Sequence, residues 1–239
     1  MRVCLDPGHG GTDRANRGPT GYVEADGVLD IALRVRALLQ AAGLEVVMTR
    51  DKDVSVTLAA RMAFAAAQGS DLFMSIHTDA WSDPGARGCT VFCSVRPDRS
   101  RDLAEAIEQG LRQAGRPSRG VKTRVQGNGR DYYHVIRESK VPSVLVECAF
   151  HTNPAEEALL KTADFRQLLA AAIASGIKAF VGPLAPEVIP ILLDGKLLPV
   201  TGHLFGDVTY APVRALAEAL GLTVVWDAKQ RLVRLARPK

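Results

Sequence analysis

Apolar positions along this chain alternate between short runs and helical stripes. Residues 2–6 carry Val3-Cys4-Leu5 and predict a first strand, and Leu44–Thr49 predicts a second. Between them Val28, Ile31, Ala32, Val35, Leu38, Leu39 and Ala42 recur at helical spacing, so a helix is expected from about Glu24 to Ala42, stopped by Gly43. Leu58, Met62 and Ala65 mark a second helix ending near Gly69. Leu72–His77 is almost continuously apolar, as in a strand buried on both faces. Cys89–Val95 predicts a further strand, and Leu103, Ile107, Leu111 and Ala114 trace a third helix.

Residues 115–131 are rich in Gly and Arg and have no clear period, and Tyr132–Ile136 reads as a short strand. Ser143–Cys148 is another buried strand. Asn153-Pro154-Ala155-Glu156 has an Asn cap, Pro at the first helical position and Glu at the third, the marks of a helix start. A last stripe runs through Phe165, Leu168, Leu169, Ala172, Ile173, Ile177 and Phe180. Strands alternating with helices predict an α/β domain over residues 1–181, with a mainly parallel twisted sheet flanked by helices.

Residues 182–190 contain three prolines and read as a linker. Residues 191–239 predict a small α+β domain. Ile191–Leu193 and Lys196–Val200 flank Asp194-Gly195, a hairpin signal. Ala211–Leu220 follows as a helix, and Leu222–Trp226 and Leu232–Leu235 as strands.

Composition narrows the class. The chain has 239 residues, 47% hydrophobic and 23% charged, which suits a globular protein. A net charge of +4 suits an anionic polymer such as cell-wall material. Aromatics are only 5% and no basic block is interleaved with them, which argues against nucleic acid as a partner. No run of eighteen apolar residues and no charged-then-apolar leader occurs, so neither a transmembrane segment nor an uncleaved signal is expected. Cys4, Cys89, Cys93 and Cys148 all lie in strand-like runs, with no C-x-x-C pair. Buried free thiols, a four-cysteine zinc site and a disulfide are the open readings.

The chemistry gathers at strand ends. Asp6-Pro7-Gly8-His9-Gly10-Gly11 presents His9 on a tight loop after the first strand, the edge where open α/β sheets keep their sites. The alternatives for that loop are a phosphate cradle, which lacks the G-x-G-x-x-G spacing, and a solvated histidine. His77 ends the third strand and Glu147 a later one, while Glu24 enters from the first helix. Two histidines and one carboxylate form a catalytic zinc set, and a second carboxylate can take a proton from water. Alternatively, His77 is a satisfied core histidine and Glu24 merely favours its helix dipole. Asp6 could orient His9 through its ring N–H or cap the turn. Among the spare histidines, His151 is the nearest substitute ligand, since it lies close to Glu147 in sequence.

With Thr49-Arg50-Asp51, Ser75-Ile76-His77, Val144-Leu145-Val146-Glu147 and Phe150-x-x-Asn153-Pro154 added, the motifs over residues 1–180 resemble the zinc-dependent N-acetylmuramoyl-L-alanine amidases of the amidase-3 family. The resemblance implies that His9, Glu24 and His77 hold one Zn2+, with Glu147 as catalytic carboxylate. It implies as substrate the amide between N-acetylmuramic acid and the L-alanine of the peptidoglycan stem peptide. Asp79 stands where the family commonly has Asn, and Ala149 where it has Gly, which bears on substrate fit. Thr78–Gly88 is too short for the inserted blocking helix of division amidases, so an open site is expected. With Leu193-Asp194-Gly195-Lys196, Thr209-Tyr210-Ala211-Pro212-Val213-Arg214, Ala217-Glu218-Ala219-Leu220-Gly221 and Val225-Trp226-Asp227, the tail resembles the stalk-like domain named from copper amine oxidases, and wall attachment is expected of it. The implied setting is extracellular or at the wall, for an endolysin or autolysin; the oligomeric state is open, with a monomer favoured. A non-catalytic wall-binding protein and a zinc peptidase on the stem peptide are the rivals.

Overall fold

A computed structural model describes residues 1–182, 187–193, 196–205, 208–227 and 232–237. The chain divides into two compact units, Met1–Pro183 and Leu184–Lys239.

In the first unit the elements run β1 (Arg2–Pro7), α1 (Glu24–Ala41), β2 (Glu45–Met48), α2 (Leu58–Ala67), β3 (Leu72–Asp79), β4 (Cys89–Cys93), α3 (Ser100–Gln113), β5 (Ser118–Lys122), α4 (His134–Arg137), β6 (Ser143–Phe150), α5 (Pro154–Leu160) and α6 (Ala163–Val181). The six strands form one sheet in the order β2-β1-β3-β6-β4-β5. β2, β1, β3 and β6 are mutually parallel, β4 runs antiparallel to β6, and β5 is parallel to β4. The mainly parallel α/β sheet expected from the alternation is the architecture found.

Strand alternation decides which side chains meet. Val3 and Leu5 of β1, Met74 and Ile76 of β3, and Val144 and Val146 of β6 fall on one face and are fully buried. α6 packs against both α1 and α3. Gly110 of α3 and Gly176 of α6 permit the close approach: a Cβ on Gly110 would meet Ala172 O at 2.4 Å, and one on Gly176 the Ile107 Cα at 2.4 Å. The other face carries Cys4, Phe73 and Leu145, covered by Ala65 of α2 and by Val135 and Ile136 of α4. Continuing two residues at a time along each strand, Asp6, Ser75, His77 and Glu147 share this second face. They line a cleft beyond α2 and α4.

Two expectations need correction. Tyr132–Ile136 is not a strand: His134–Arg137 forms one helical turn, and Val135 and Ile136 are both buried in succession, which a strand lying on one face does not allow. β5 lies within the stretch that showed no period, because its polar Ser-Arg-Gly-Val-Lys edge pairs with β4 alone. Of the readings left open for the four cysteines, buried free thiols is the one found.

In the second unit β7 (Glu187–Leu193), β8 (Lys196–Phe205) and β9 (Val208–Tyr210) form an antiparallel sheet, followed by α7 (Val213–Ala219) and the antiparallel pair β10 (Thr223–Asp227) and β11 (Leu232–Ala236). β7 begins inside the stretch read as linker, and Pro190 pairs with Thr201 within it. Asp194-Gly195 lie outside the described residues, although Leu193 and Lys196 pair on either side of them.

Candidate metal centre

β1 ends at Pro7 and the chain turns through Gly8 and His9. His9 has φ 57°, the one non-glycine residue in the left-handed region among those described. Such a conformation costs on the order of 1 kcal/mol and persists only where its surroundings hold it. Two buried arginines supply that hold. Arg61 donates to Pro7 O (2.7 Å) and His9 O (2.8 Å). Arg50 donates to Pro7 O (2.9 Å), Gly8 O (2.7 Å) and Ala25 O (2.7 Å). One guanidinium therefore ties the His9 loop to the first turn of α1, where Glu24 lies.

Glu24 is buried and sits between the two histidines. Its Oε1 lies 3.0 Å from His77 Nδ1 and its Oε2 3.3 Å from His9 Nε2. Thr78 N donates to Oε1 at 2.9 Å, and Asn16 Nδ2 to Oε2 at 2.9 Å. The His9 and His77 rings stand edge-on, 5.0 Å between centroids. Burial pushes the Glu24 carboxyl up, but its bonds to His77 and His9 outweigh that and hold it well below the ordinary carboxylate range. Burial pulls His9 down, yet Glu24 and Asp13 together raise it to about 9. The pocket favours positive charge at this point.

One ligand atom each from His9, Glu24 and His77 lie within 4.8 Å of one another. Two imidazoles and a carboxylate are the donor set of a catalytic zinc site with room for a further ligand. The residues present thus fit a divalent ion in both donor chemistry and charge.

Glu147 pairs in register with His77 across β3 and β6. Its Oε2 is buried and has no hydrogen-bond partner. Burial, then the charges of Glu24 and Asp79, raise its carboxyl well above the ordinary range. Asp79 also lines the cleft and is raised by burial.

The expected Asp6–His9 pairing is not made. Asp6 accepts from Arg61 (2.6 Å), Thr49 Oγ1 (2.5 Å) and Ser75 Oγ (2.7 Å), because alternation turns its side chain onto the sheet face. His9 Nδ1 instead meets Asp13 Oδ2 at 2.8 Å. His151 is held by Thr78, with Nδ1 3.0 Å from Thr78 Oγ1 and 3.9 Å from Glu24 Oε2, outside the cluster of three. Asp13 and Asn16, in the loop after β1, and Thr78, in β3, carry no signal in the sequence, since only the fold brings them to His9 and Glu24. No helix occupies the loop between β3 and β4. The cleft, about 830 Å³, is lined further by Val56–Leu58, Arg124, Gln126 and Tyr132–Val135.

Known proteins resemble this chain in sequence and in fold. The chain is 34% identical over 217 residues to N-acetylmuramoyl-L-alanine amidase AmiA of Escherichia coli K12, covering 74% of this chain and 75% of that one. It is 35% identical over 217 residues to AmiC of Neisseria meningitidis serogroup B, covering 75% of this chain but only about half, 52%, of that relative. The solved catalytic domain of CwlV from Bacillus (Paenibacillus) polymyxa, an N-acetylmuramoyl-L-alanine amidase, superposes with TM-score 0.70 at 30% identity, covering 77% of this chain and 99% of that one. The N-acetylmuramoyl-L-alanine amidase family Amidase_3 matches residues 3–179, and the chain belongs to it.

Proposed function

We propose that this chain is a zinc-dependent peptidoglycan amidase in which His9, Glu24 and His77 hold one Zn2+ and Glu147 moves the proton. Hydrolysis of the amide between N-acetylmuramic acid and L-alanine is the reaction of its family. The observation that carries the assignment is Glu147 Oε2, a buried carboxylate oxygen without a partner, on the strand position beside His77. A charge so placed is costly unless it serves the reaction.

Bound zinc supplies Lewis-acid polarisation of the amide carbonyl and of the attacking water. The remaining work belongs to the protein. Glu147 takes the proton of the attacking water and passes it to the leaving alanine nitrogen. Its raised carboxyl suits both halves of that exchange, since a base poised nearer neutrality also makes a serviceable acid. Asp13 fixes the orientation of His9, and Thr78 N and Asn16 fix Glu24. Arg50 and Arg61 hold the loop that sets His9 against Glu24.

Digestion of purified sacculi tests the reading. New L-alanine amino termini, with intact glycan strands and whole stem peptides by mass spectrometry, are expected. Trimmed peptides indicate a peptidase instead, and unchanged walls indicate a binding protein. Glu147→Gln should keep zinc by metal analysis and lose turnover, whereas His77→Ala should lose both. An active Glu147→Gln protein overturns the assigned base.

For the Leu184–Lys239 unit we propose wall attachment. Leu197, Val225 and Trp226 are large apolar side chains exposed in this unit and available to a partner. Unchanged pelleting with walls after deletion of residues 183–239 removes that role.

A further inference from the structure

Residues 124–132 fold back as a hairpin beside the cleft. Val125 and Asp131 form an antiparallel bridge, Gln126 N donates to Arg130 O (2.8 Å), and Tyr132 N donates to Arg124 O (2.7 Å). The hairpin is pinned at its base. Buried Asp131 accepts from Ser94 Oγ (2.8 Å) and Val95 N (3.0 Å), while Arg137 donates to Asp131 O (3.0 Å) and Tyr132 O (2.9 Å).

This frame holds one cation over the cleft. The Arg124 guanidinium carbon lies 3.8 Å from the Tyr132 ring centroid and 5.8 Å from that of Tyr133. It also bonds the Tyr133 side chain and feels the charge of the Asp79 carboxylate, and all three residues line the cleft. A guanidinium carries five N–H donors, so one that lies on a tyrosine ring and bonds a second tyrosine retains others with which to grip a carboxylate.

Its place in the fold says which part of a substrate it meets. The Tyr133 ring packs 5.0 Å from that of Phe92. Phe92 pairs with Leu145, and Thr90, two residues along, pairs with Glu147. Residues two apart share a face, so Tyr133 and Glu147 lie on the same side of the sheet. The strand order β1-β3-β6-β4 then puts Arg124 at the Glu147 end of the cleft, across from the His9 loop that follows β1. If Glu147 protonates the leaving nitrogen, the peptide lies on this side and the glycan on the other.

We infer that Arg124, laid against Tyr132 and Tyr133, is a specificity subsite for the first free carboxylate of the stem peptide beyond L-alanine. The inference rests on the amidase reading for its polarity. It gives the Gly- and Arg-rich hairpin a task that neither the metal cluster nor Glu147 requires.

The test uses two synthetic N-acetylmuramoyl-L-alanyl-γ-D-glutamyl peptides, both amidated at the C-terminus. In one the glutamyl α-carboxyl is free, and in the other it is a carboxamide. Wild type is expected to cleave the acid with kcat/KM about tenfold above the amide, the size of one charge-assisted contact. Arg124→Gln should bring that ratio close to one, and Arg124→Lys should keep part of it. Arg130→Gln, which removes a like charge from the same hairpin outside the cleft, should keep the full ratio. Equal rates on both peptides in wild type, or an unchanged ratio in Arg124→Gln, overturn the subsite and leave the amidase reading standing. If neither peptide is cleaved, the amidase reading fails, and calorimetric titration with the released acid peptide decides the subsite alone. Weaker binding by Arg124→Gln than by wild type supports it, and equal binding overturns it.

Discussion

Gly8→Ala probes the metal centre without touching a ligand. Gly8 lies outside the left-handed region, so alanine suits its backbone. An added Cβ would instead lie 2.1 Å from His77 Cε1 and 2.4 Å from Nε2. Non-bonded carbons settle at about 3.5 Å, so the ring must retreat by about 1 Å or more. That stretches the 3.0 Å bond between His77 Nδ1 and Glu24 Oε1 past hydrogen-bonding range. A charge-assisted hydrogen bond is worth about 1.5–3 kcal/mol, and metal–ligand distances tolerate only about 0.2 Å. Zinc affinity should fall by roughly ten- to a hundredfold. Competition against a fluorescent chelator reads the affinity, and circular dichroism checks the fold. In a His77→Ala background, which holds no zinc, the same substitution should leave the melting temperature where His77→Ala alone puts it, because its effect is transmitted through that ring. Wild-type zinc affinity in Gly8→Ala, or a further drop in melting temperature in the His77→Ala background, refutes the argument.

Chelation should stop release of stem peptides and added zinc should restore it; activity unaffected by chelator removes the metal from the mechanism. A carboxyl raised in the folded state, as Glu147 is, contributes stability that is present below the unfolded pKa and lost as pH rises through the folded value. Chelated Glu147→Gln should therefore melt close to wild type near pH 4 and progressively above it as pH rises, and parallel curves would refute the cause assigned to the shift. Glu156 is buried and accepts from Arg116, Phe150 N (2.7 Å) and Gly88 N (3.0 Å). Glu156→Gln leaves a buried arginine without its counter-charge and should cost about 3 kcal/mol by urea denaturation; a loss below 1 kcal/mol would show that water substitutes for the pair.

Much of the fold and the centre was legible in the chain itself. The apolar runs of β1, β3 and β6 and the stripes of α1, α3 and α6 are dictated by burial, and local chemistry marks their ends. Thus Asn153 Oδ1 accepts from Ala155 N and Glu156 N as its position before Pro154 foretells. His9, His77 and Glu147 could be placed at one sheet edge because parallel strands end together there.

What stayed hidden depends on which distant groups meet. Tyr132–Ile136 has the composition of a strand, but its environment is a gap beside α2 that a single helical turn fills. Asp6 stands three residues from His9, yet the pleat points it at Arg61 and Ser75, and the left-handed turn at His9 aims Nδ1 at Asp13. Period and residue type are local properties and can be read in one dimension. The 4.8 Å grouping of His9, Glu24 and His77, the unpartnered oxygen of Glu147 and the stacking of Arg124 on Tyr132 are distances between residues far apart in the chain or turned by a loop. Only the packing of β1, β3, β6 and α1 against one another, with the loops they carry, decides those.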